Sequence, residues 1–240
     1  MPAITEWSEP IAVQSSASPT LAEWLDDESV DAFLARHFQK APLARPSAAK
    51  SAMPLLDWNV VERMLAQRVK PDMLVVRNGR LLDPAPQTFA ELRALFDRGY
   101  SLVLRRTERY DASLAELART FAPQLDGDVS IQLYLTPKGF HSFGWHYDCE
   151  DVFIAQAMGT KEYFLRANTV NPAPTLDAMP RDMHFERETS PAVASTLIAG
   201  DWLYVPRGWW HVARAHEDAM SISIGILSPA AARAPVQKHG

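Results

Sequence analysis

Apolar residues recur at helical spacing through the first half of the chain and at alternate positions through the second. Between Thr20 and Phe38, Leu21, Trp24, Leu25, Phe33 and Leu34 fall at helical intervals behind Ser18-Pro19-Thr20 as a cap, which predicts a helix. Asp57 to Val69 repeats the pattern with Trp58, Val61, Leu65 and Val69. Phe89 to Arg98 places Leu92, Leu95 and Phe96 on one face with Gly99 as its stop, and Ser113 to Phe121 is a further amphipathic helix. Tyr100 to Leu104 is short, apolar and β-prone, hence a strand. After Asp126-Gly127 the period changes. Val129 to Leu135, Asp151 to Ala157, Lys161 to Leu165, Ala194 to Ile198, Trp202 to Val205 and Met220 to Leu227 are short β-rich runs punctuated by Gly, Pro, Asn or Asp. That spacing predicts an antiparallel sandwich or barrel. Asn171 to Pro191 carries four prolines and reads as a long excursion over the sheet. The expected organisation is a helical region over residues 1–125 packed on a β core over 126–228, with a short tail over 229–240.

Composition narrows the class. The 240 residues hold 24 Lys plus Arg against 29 Asp plus Glu, a net charge of −5, and 47% hydrophobic positions. The balance gives no overall attraction to nucleic acid or to an anionic membrane. No apolar run approaches the roughly 20 residues of a membrane helix. The start, Met1-Pro2-Ala3-Ile4-Thr5-Glu6-Trp7, lacks the basic-then-apolar order of a secretory signal. The single cysteine, Cys149, cannot form an internal disulfide. The expected location is cytoplasmic.

Histidine placement supplies the candidate chemistry. Residues i and i+2 of a strand share a face, so a His-x-Asp or His-x-Glu pair can grip one ion. The pair is common: with seven His and 29 acidic residues, about one arises by chance. Three occur, His146-Tyr147-Asp148, His184-Phe185-Glu186 and His216-Glu217-Asp218. Only the first is flanked by hydrophobic strands that provide a rigid mounting. The second lies in the proline-rich excursion beside Arg181, Asp182 and Arg187 and reads as solvated; the third reads as a turn. A further ligand comes from Gly200 to His211, where a strand runs to Val205, Pro206-x-Gly208 turns tightly, and His211 emerges on the returning strand. This stretch fits the second cupin motif, G-x5-P-x-G-x2-H, at every fixed position through the histidine, with Ala215 where the motif continues to Asn. His146, Asp148 and His211 make a 2-His-1-carboxylate set, which leaves open positions on an Fe(II) for a chelating 2-oxo acid and O2. Cys149 reads as a structural thiol on the opposite face. Trp202 reads as core, and one of Trp209 and Trp210 reads as lining a substrate pocket.

Leu133-Tyr134-Leu135-Thr136-Pro137, His146-Tyr147-Asp148, Val152 to Gln156, Gly159-Thr160-Lys161 and Phe164, together with the Gly200 to His211 hairpin, resemble the Jumonji-C 2-oxoglutarate oxygenases. Within them the chain is most similar to the ribosomal oxygenases and the asparaginyl hydroxylase of hypoxia-inducible factor. Phe38-Gln39-Lys40-Ala41-Pro42-Leu43 also resembles the W-Q-K-x-P-L lead-in of ribosomal oxygenases. The resemblance implies a mainly β fold, a double-stranded β-helix (jelly roll, cupin-like) with a mostly helical N-terminal extension. It implies Fe(II) on His146, Asp148 and His211, with 2-oxoglutarate and O2 as co-substrates. Lys161, fifteen residues after His146, would pair with the distal carboxylate of 2-oxoglutarate, helped by Tyr134. Gln132 stands where relatives often have Asn. Gly225 replaces a hydroxyl residue some relatives use, so Ser221 or Ser223 would compensate, with Ser223 the choice. The implied activity is hydroxylation of a C–H bond in a protein or peptide side chain. A small molecule such as a free or carrier-bound amino acid, and a non-catalytic metal-binding jelly roll, are the alternatives. Only thirteen residues follow Leu227, which leaves no room for the dimerisation and winged-helix regions of ribosomal oxygenases and weakens a ribosomal substrate. The substrate, hydroxylation against demethylation and the oligomeric state stay open, a homodimer among the options.

Overall fold

A computed structural model describes residues 21–123, 125–180 and 183–233. Six helices and eleven strands appear among them. The helices are α1 (Leu21–Leu25), α2 (Val30–Arg36), α3 (Trp58–Ala66), α4 (Phe89–Asp97), α5 (Ala112–Phe121) and α6 (Pro229–Ala232). The strands are β1 (Leu43–Arg45), β2 (Asp72–Arg77), β3 (Arg80–Leu82), β4 (Ser101–Arg105), β5 (Asp128–Thr136), β6 (Asp151–Met158), β7 (Lys161–Arg166), β8 (Ala192–Leu197), β9 (Trp202–Val205), β10 (Trp210–Ala215) and β11 (Ala219–Leu227). An eight-stranded sheet runs β1-β9-β6-β11-β5-β4-β2-β3, and a three-stranded sheet runs β10-β7-β8. The mainly β antiparallel architecture with N-terminal helices agrees with the expectation.

Alternation along the central strands divides the core. Ile131, Leu133 and Leu135 of β5, Phe153 and Ala155 of β6, and Ile222, Ile224 and Ile226 of β11 face the N-terminal helices and form the larger cluster with Trp24, Phe33, Leu92 and Phe121. Val152 and Ile154 of β6 point the other way and meet Tyr163, Leu165, Leu197 and Leu203 in a smaller cluster between the sheets. On that same inner face, β11 pairs Ser221 with Tyr134, Ser223 with Gln132 and Gly225 with Ser130 of β5. The big sheet is therefore apolar towards its helices and polar towards the space the two sheets enclose. Trp202 is fully buried and donates its indole N–H to the Trp24 carbonyl at 2.8 Å, as its core reading requires.

The N-terminal region departs from the helical expectation in two ways. The single helix over Thr20–Phe38 is two, because Asp26 turns the chain through a left-handed conformation (φ 56°) and Ser29 caps a second start by accepting from the Ala32 N–H. The proposed Ser18-Pro19-Thr20 cap lies outside the described residues. The region also supplies β1, β2, β3 and β4 to the large sheet, of which only β4 was expected. Asn78 and Gly79, both at positive φ, make the two-residue turn between β2 and β3. The lead-in segment packs on β9: the Gln39 N–H donates to the Tyr204 hydroxyl at 2.7 Å, and the Gln39 amide reaches Asp151 at 3.1 Å. The excursion before β8 is held by Glu188, which accepts from the amides of Thr169, Thr189 and Ser190. No helix among the described residues is long and apolar enough to cross a membrane.

Candidate active site

His146 and His211, 65 positions apart, are brought together by the backbone. They form an isolated antiparallel bridge, with the His211 N–H donating to the His146 carbonyl at 2.8 Å and the reverse bond at 3.1 Å. The Gly208 N–H donates to the Asp148 carbonyl at 2.8 Å, so the Pro206-x-Gly208 turn docks its strand against the His-x-Asp segment. Directly opposed residues share a face, and the two imidazoles stand 4.2 Å apart. The nearest ligand atoms of His146, Asp148 and His211 all lie within 4.8 Å of one another, and Asp148 Oδ2 is 3.5 Å from His211 Nε2.

The donor set fits a metal ion. Each imidazole has its Nδ1 on a backbone carbonyl, His146 on Gly144 at 2.8 Å and His211 on Trp209 at 3.0 Å. A carbonyl only accepts, so Nδ1 carries the proton and Nε2 keeps its lone pair. Burial and the neighbouring His146 push His211 down to about 4, so it is neutral and ready to coordinate at neutral pH. Asp148 supplies the single negative charge.

Two spaces meet at the triad. The inner one, a chamber of about 50 Å³, runs between the sheets past Tyr134, Lys161, Tyr163, Ser221 and Ser223. Lys161 is 4% exposed. Its ammonium lies 5.3 Å from the Tyr134 ring and 5.5 Å from the Tyr163 ring. No carboxylate among the described residues pairs with it, and burial alone pulls it down to about 8. A buried ammonium without a counter-charge is costly, and an anion entering the chamber would remove that cost. Burial holds the Tyr134 and Tyr163 phenols far above their ordinary range, hence neutral. The Ser221 hydroxyl donates to Gln156 Oε1 at 2.8 Å.

The outer space is a cleft of about 390 Å³ reaching His146 and Asp148 from solvent, walled by Leu74, Val103, Arg105, Gln132, Trp145 and Glu150. Of these, Gln132 was noted as a departure and the others were not singled out for a pocket. Trp145, stacked on Phe185 at 4.1 Å, takes the place given to Trp209 or Trp210. Trp210 is instead buried edge-on against Tyr147, and Trp209 packs on the smaller core. Tyr163 could have been found from its i+2 spacing to Lys161.

The other histidine pairs do not converge on a third ligand. His184 bonds Glu186 at 2.9 Å in an exposed turn, and His216 bonds Glu162 at 3.1 Å. Arg181 and Asp182 lie outside the described residues. Cys149 is buried, its thiol pushed up to about 11 by burial, and it stays out of the triad.

A model of the JmjC domain family matches residues 106–234, just over half of the chain. The chain belongs to the JmjC domain family. Among curated relatives it is 33% identical over 135 residues to the bifunctional lysine-specific demethylase and histidyl-hydroxylase NO66 of Dictyostelium discoideum, covering 55% of this chain and 26% of that protein. It is 27% identical over 137 residues to ribosomal oxygenase 1 of Gallus gallus, covering 55% and 22%. The ribosomal oxygenase YcfD of Escherichia coli, solved with cobalt and 2-oxoglutarate, superposes with a TM-score of 0.62 over 88% of this chain and 53% of that one, at 22% identity. That likeness is one of fold. The JmjC chain thus spans about a quarter of these curated relatives and about half of the solved structure.

Proposed function

We propose that this JmjC protein is an Fe(II)- and 2-oxoglutarate-dependent oxygenase that hydroxylates a C–H bond of a protein or peptide side chain. The observation that carries the reading is the unpaired, buried Lys161 ammonium in a chamber that opens onto two histidines with free Nε2 atoms and one carboxylate. Bound there, iron with 2-oxoglutarate and O2 supplies the oxidation, RH + 2-oxoglutarate + O2 giving ROH + succinate + CO2. His146, Asp148 and His211 would hold the ion. Lys161 neutralises the distal carboxylate of the co-substrate, and the neutral Tyr134 phenol can donate to it. The chamber walls keep this end of the co-substrate out of water, where each charge-assisted hydrogen bond is strongest. The outer cleft is the route by which a side chain reaches the same ion. Histidyl hydroxylation and lysine demethylation, named for the curated relatives, both place a protein side chain at such a site.

The test is thermal unfolding with manganese in place of iron. 2-Oxoglutarate should raise the midpoint of the wild-type protein and leave Lys161→Ala unmoved. Succinate formation by the iron-loaded protein should disappear in His146→Ala. A wild-type protein that 2-oxoglutarate does not stabilise would refute the assignment.

A further inference from the structure

The lead-in segment from Phe38 to Leu43 lines neither the chamber nor the cleft, yet its hydrogen bonds lead to the hairpin that carries His211. That hairpin turns through Pro206-Arg207-Gly208-Trp209, closed by the Trp209 N–H on the Pro206 carbonyl at 3.1 Å, with Gly208 at φ 79°. A turn closed in this way leaves its two central N–H groups to find partners elsewhere. Both find them on the segment that carries the His-x-Asp pair into β6. The Gly208 N–H donates to the Asp148 carbonyl at 2.8 Å, and the Arg207 N–H donates to Asp151 Oδ1 at 3.3 Å. The first acceptor is backbone and the second is a side chain, so Asp151 is where a change of residue alters the docking of the turn.

Asp151 is fully buried and belongs to none of the ion pairs among the described residues. Hydrogen bonds hold its carboxylate instead. Oδ1 also accepts from the Tyr204 hydroxyl at 2.5 Å, and Oδ2 accepts from the Gln39 side-chain amide at 3.1 Å. The Gln39 backbone N–H donates to the same Tyr204 hydroxyl at 2.7 Å, and the Arg207 guanidinium acts on Asp151 from a distance. Gln39 sits at φ 58°, a left-handed conformation that costs energy for any residue but glycine. A buried carboxylate seldom stabilises a fold over an apolar side chain of its size, because desolvation offsets the bonds it makes. The other end of this network meets a candidate ligand. The carbonyl of Trp209, the last residue of the turn, accepts from His211 Nδ1 at 3.0 Å and so fixes the tautomer and the ring orientation.

We propose that Asp151 is a positioning residue for His211: it seats the Arg207 end of the turn on the His-x-Asp segment, the Trp209 carbonyl passes that placement to the imidazole, and Gln39 and Tyr204 hold the Asp151 carboxylate in place. This rests on the reading of His146, Asp148 and His211 as metal ligands. Without Asp151 the turn keeps only its Gly208 bond, the Trp209 carbonyl is free to swing, and the Nε2 lone pair of His211 is no longer held towards His146 and Asp148. The lead-in segment thereby contributes to a metal site that it does not touch.

The experiment titrates the metal-free protein with cobalt and records affinity, the visible absorption of the bound ion and thermal stability together. Asp151→Ala should bind cobalt about tenfold more weakly, with an altered absorption band. Asp151→Asn should stay within about threefold of wild type and keep its band, because the amide oxygen still accepts from Arg207 and Tyr204 while the Gln39 amide turns its own oxygen to the new N–H2. Tyr204→Phe and Gln39→Ala each remove one support of Asp151 and should fall between wild type and Asp151→Ala. Leu92→Ala, a truncation in α4, should lose stability and keep both affinity and band. The proposal is overturned if Asp151→Ala loses stability alone, if Asp151→Asn is as impaired as Asp151→Ala, or if Leu92→Ala weakens cobalt as much. Should Asp151→Ala fail to fold, wild-type affinity and band in both Tyr204→Phe and Gln39→Ala overturn it, and a loss in both supports it. A wild-type protein that binds no cobalt refutes the metal-site reading itself, whereas tight cobalt binding indifferent to Asp151 refutes only the positioning role.

Discussion

Residues 221–226 read Ser-Ile-Ser-Ile-Gly-Ile, and the two halves of that alternation meet different surroundings. Ile222, Ile224 and Ile226 are fully buried against the helices, while Ser221, Ser223 and Gly225 face the chamber and the cleft. The same division runs through β5, with Ile131, Leu133 and Leu135 on one side and Ser130, Gln132 and Tyr134 on the other. One face can therefore be changed for stability and the other for chemistry, although neighbouring residues are consecutive in the chain. The polar face is buried yet incompletely satisfied: Lys161 has no counter-charge and the hydroxyl of Ser223 has no partner among the described residues. A buried surface left in that condition is prepared for ligands, because folding alone would favour filling it with apolar side chains.

The comparison breaks most completely at His211. His211→Ala removes a candidate metal ligand that β10 presents to the enclosed space and should weaken metal binding by at least about a hundredfold, measured by metal content after dialysis, while metal-free stability changes by under about 2 kcal/mol. Ile224→Ala should show the opposite pattern. It leaves a cavity in the larger core and should cost about 2–5 kcal/mol in denaturant unfolding, with the manganese affinity of the remaining folded protein retained. A result in which Ile224→Ala loses metal at unchanged stability would abolish the two-face division.

Lys161 sharpens the division because its removal should help folding and harm binding together. Burial holds its folded value at about 8, below the ordinary 10.5, so the native state binds its proton less tightly than the unfolded chain. Below pH 8 the desolvation penalty is fully present, about 3 kcal/mol; from pH 8 to 10.5 the unfolded chain carries a proton the native state lacks, and stability rises with pH. Lys161→Met should therefore be more stable than wild type at pH 7, and the gap should shrink across that window. If Lys161 holds 2-oxoglutarate as proposed, stabilisation by it should decline above about pH 8 in the wild type, approaching tenfold in affinity per pH unit. A gap between the two proteins that stays constant from pH 7 to pH 10 would show that Lys161 is not desolvated in the chamber.

The two faces were unequally legible in the sequence. The apolar rows were legible, since alternation over Val129 to Leu135 and Met220 to Leu227 locates the strands within a residue or two of β5 and β11. The candidate metal ligands were legible because Pro206-x-Gly208 and His146-x-Asp148 are local patterns with local causes. The first four strands were less so. Asn78-Gly79 is a hairpin signal, but the runs it joins are short and β3 is exposed along its length, and three-residue β1 carries no period of its own. The cleft was hidden for a different reason. Glu150 and Gly225 lie 75 positions apart and become neighbours only once β6 and β11 are in register, as Val152 opposite Gly225 shows. The same holds for Trp145 and Phe185, whose stacking depends on how the excursion folds back.

The finest test is between two serines on one face. Ser221 and Ser223 both line the chamber, but their hydroxyls are differently engaged. Ser221 donates to Gln156, whose own amide donates to the Met158 carbonyl at 2.7 Å, so Ser221 belongs to a closed structural chain. Ser221→Ala leaves a buried amide oxygen without its donor and should cost about 1–3 kcal/mol in stability. Ser223 makes no such bond among the described residues, and it touches both the chamber and the cleft. Ser223→Ala should change stability by less than about 0.5 kcal/mol. Its effect should fall on the ligand: one lost hydrogen bond of about 0.5–1.5 kcal/mol weakens 2-oxoglutarate roughly two- to tenfold, read by titration of the manganese-loaded protein. If Ser221→Ala weakens the co-substrate and Ser223→Ala does not, the hydroxyl that serves the co-substrate is Ser221 and not Ser223.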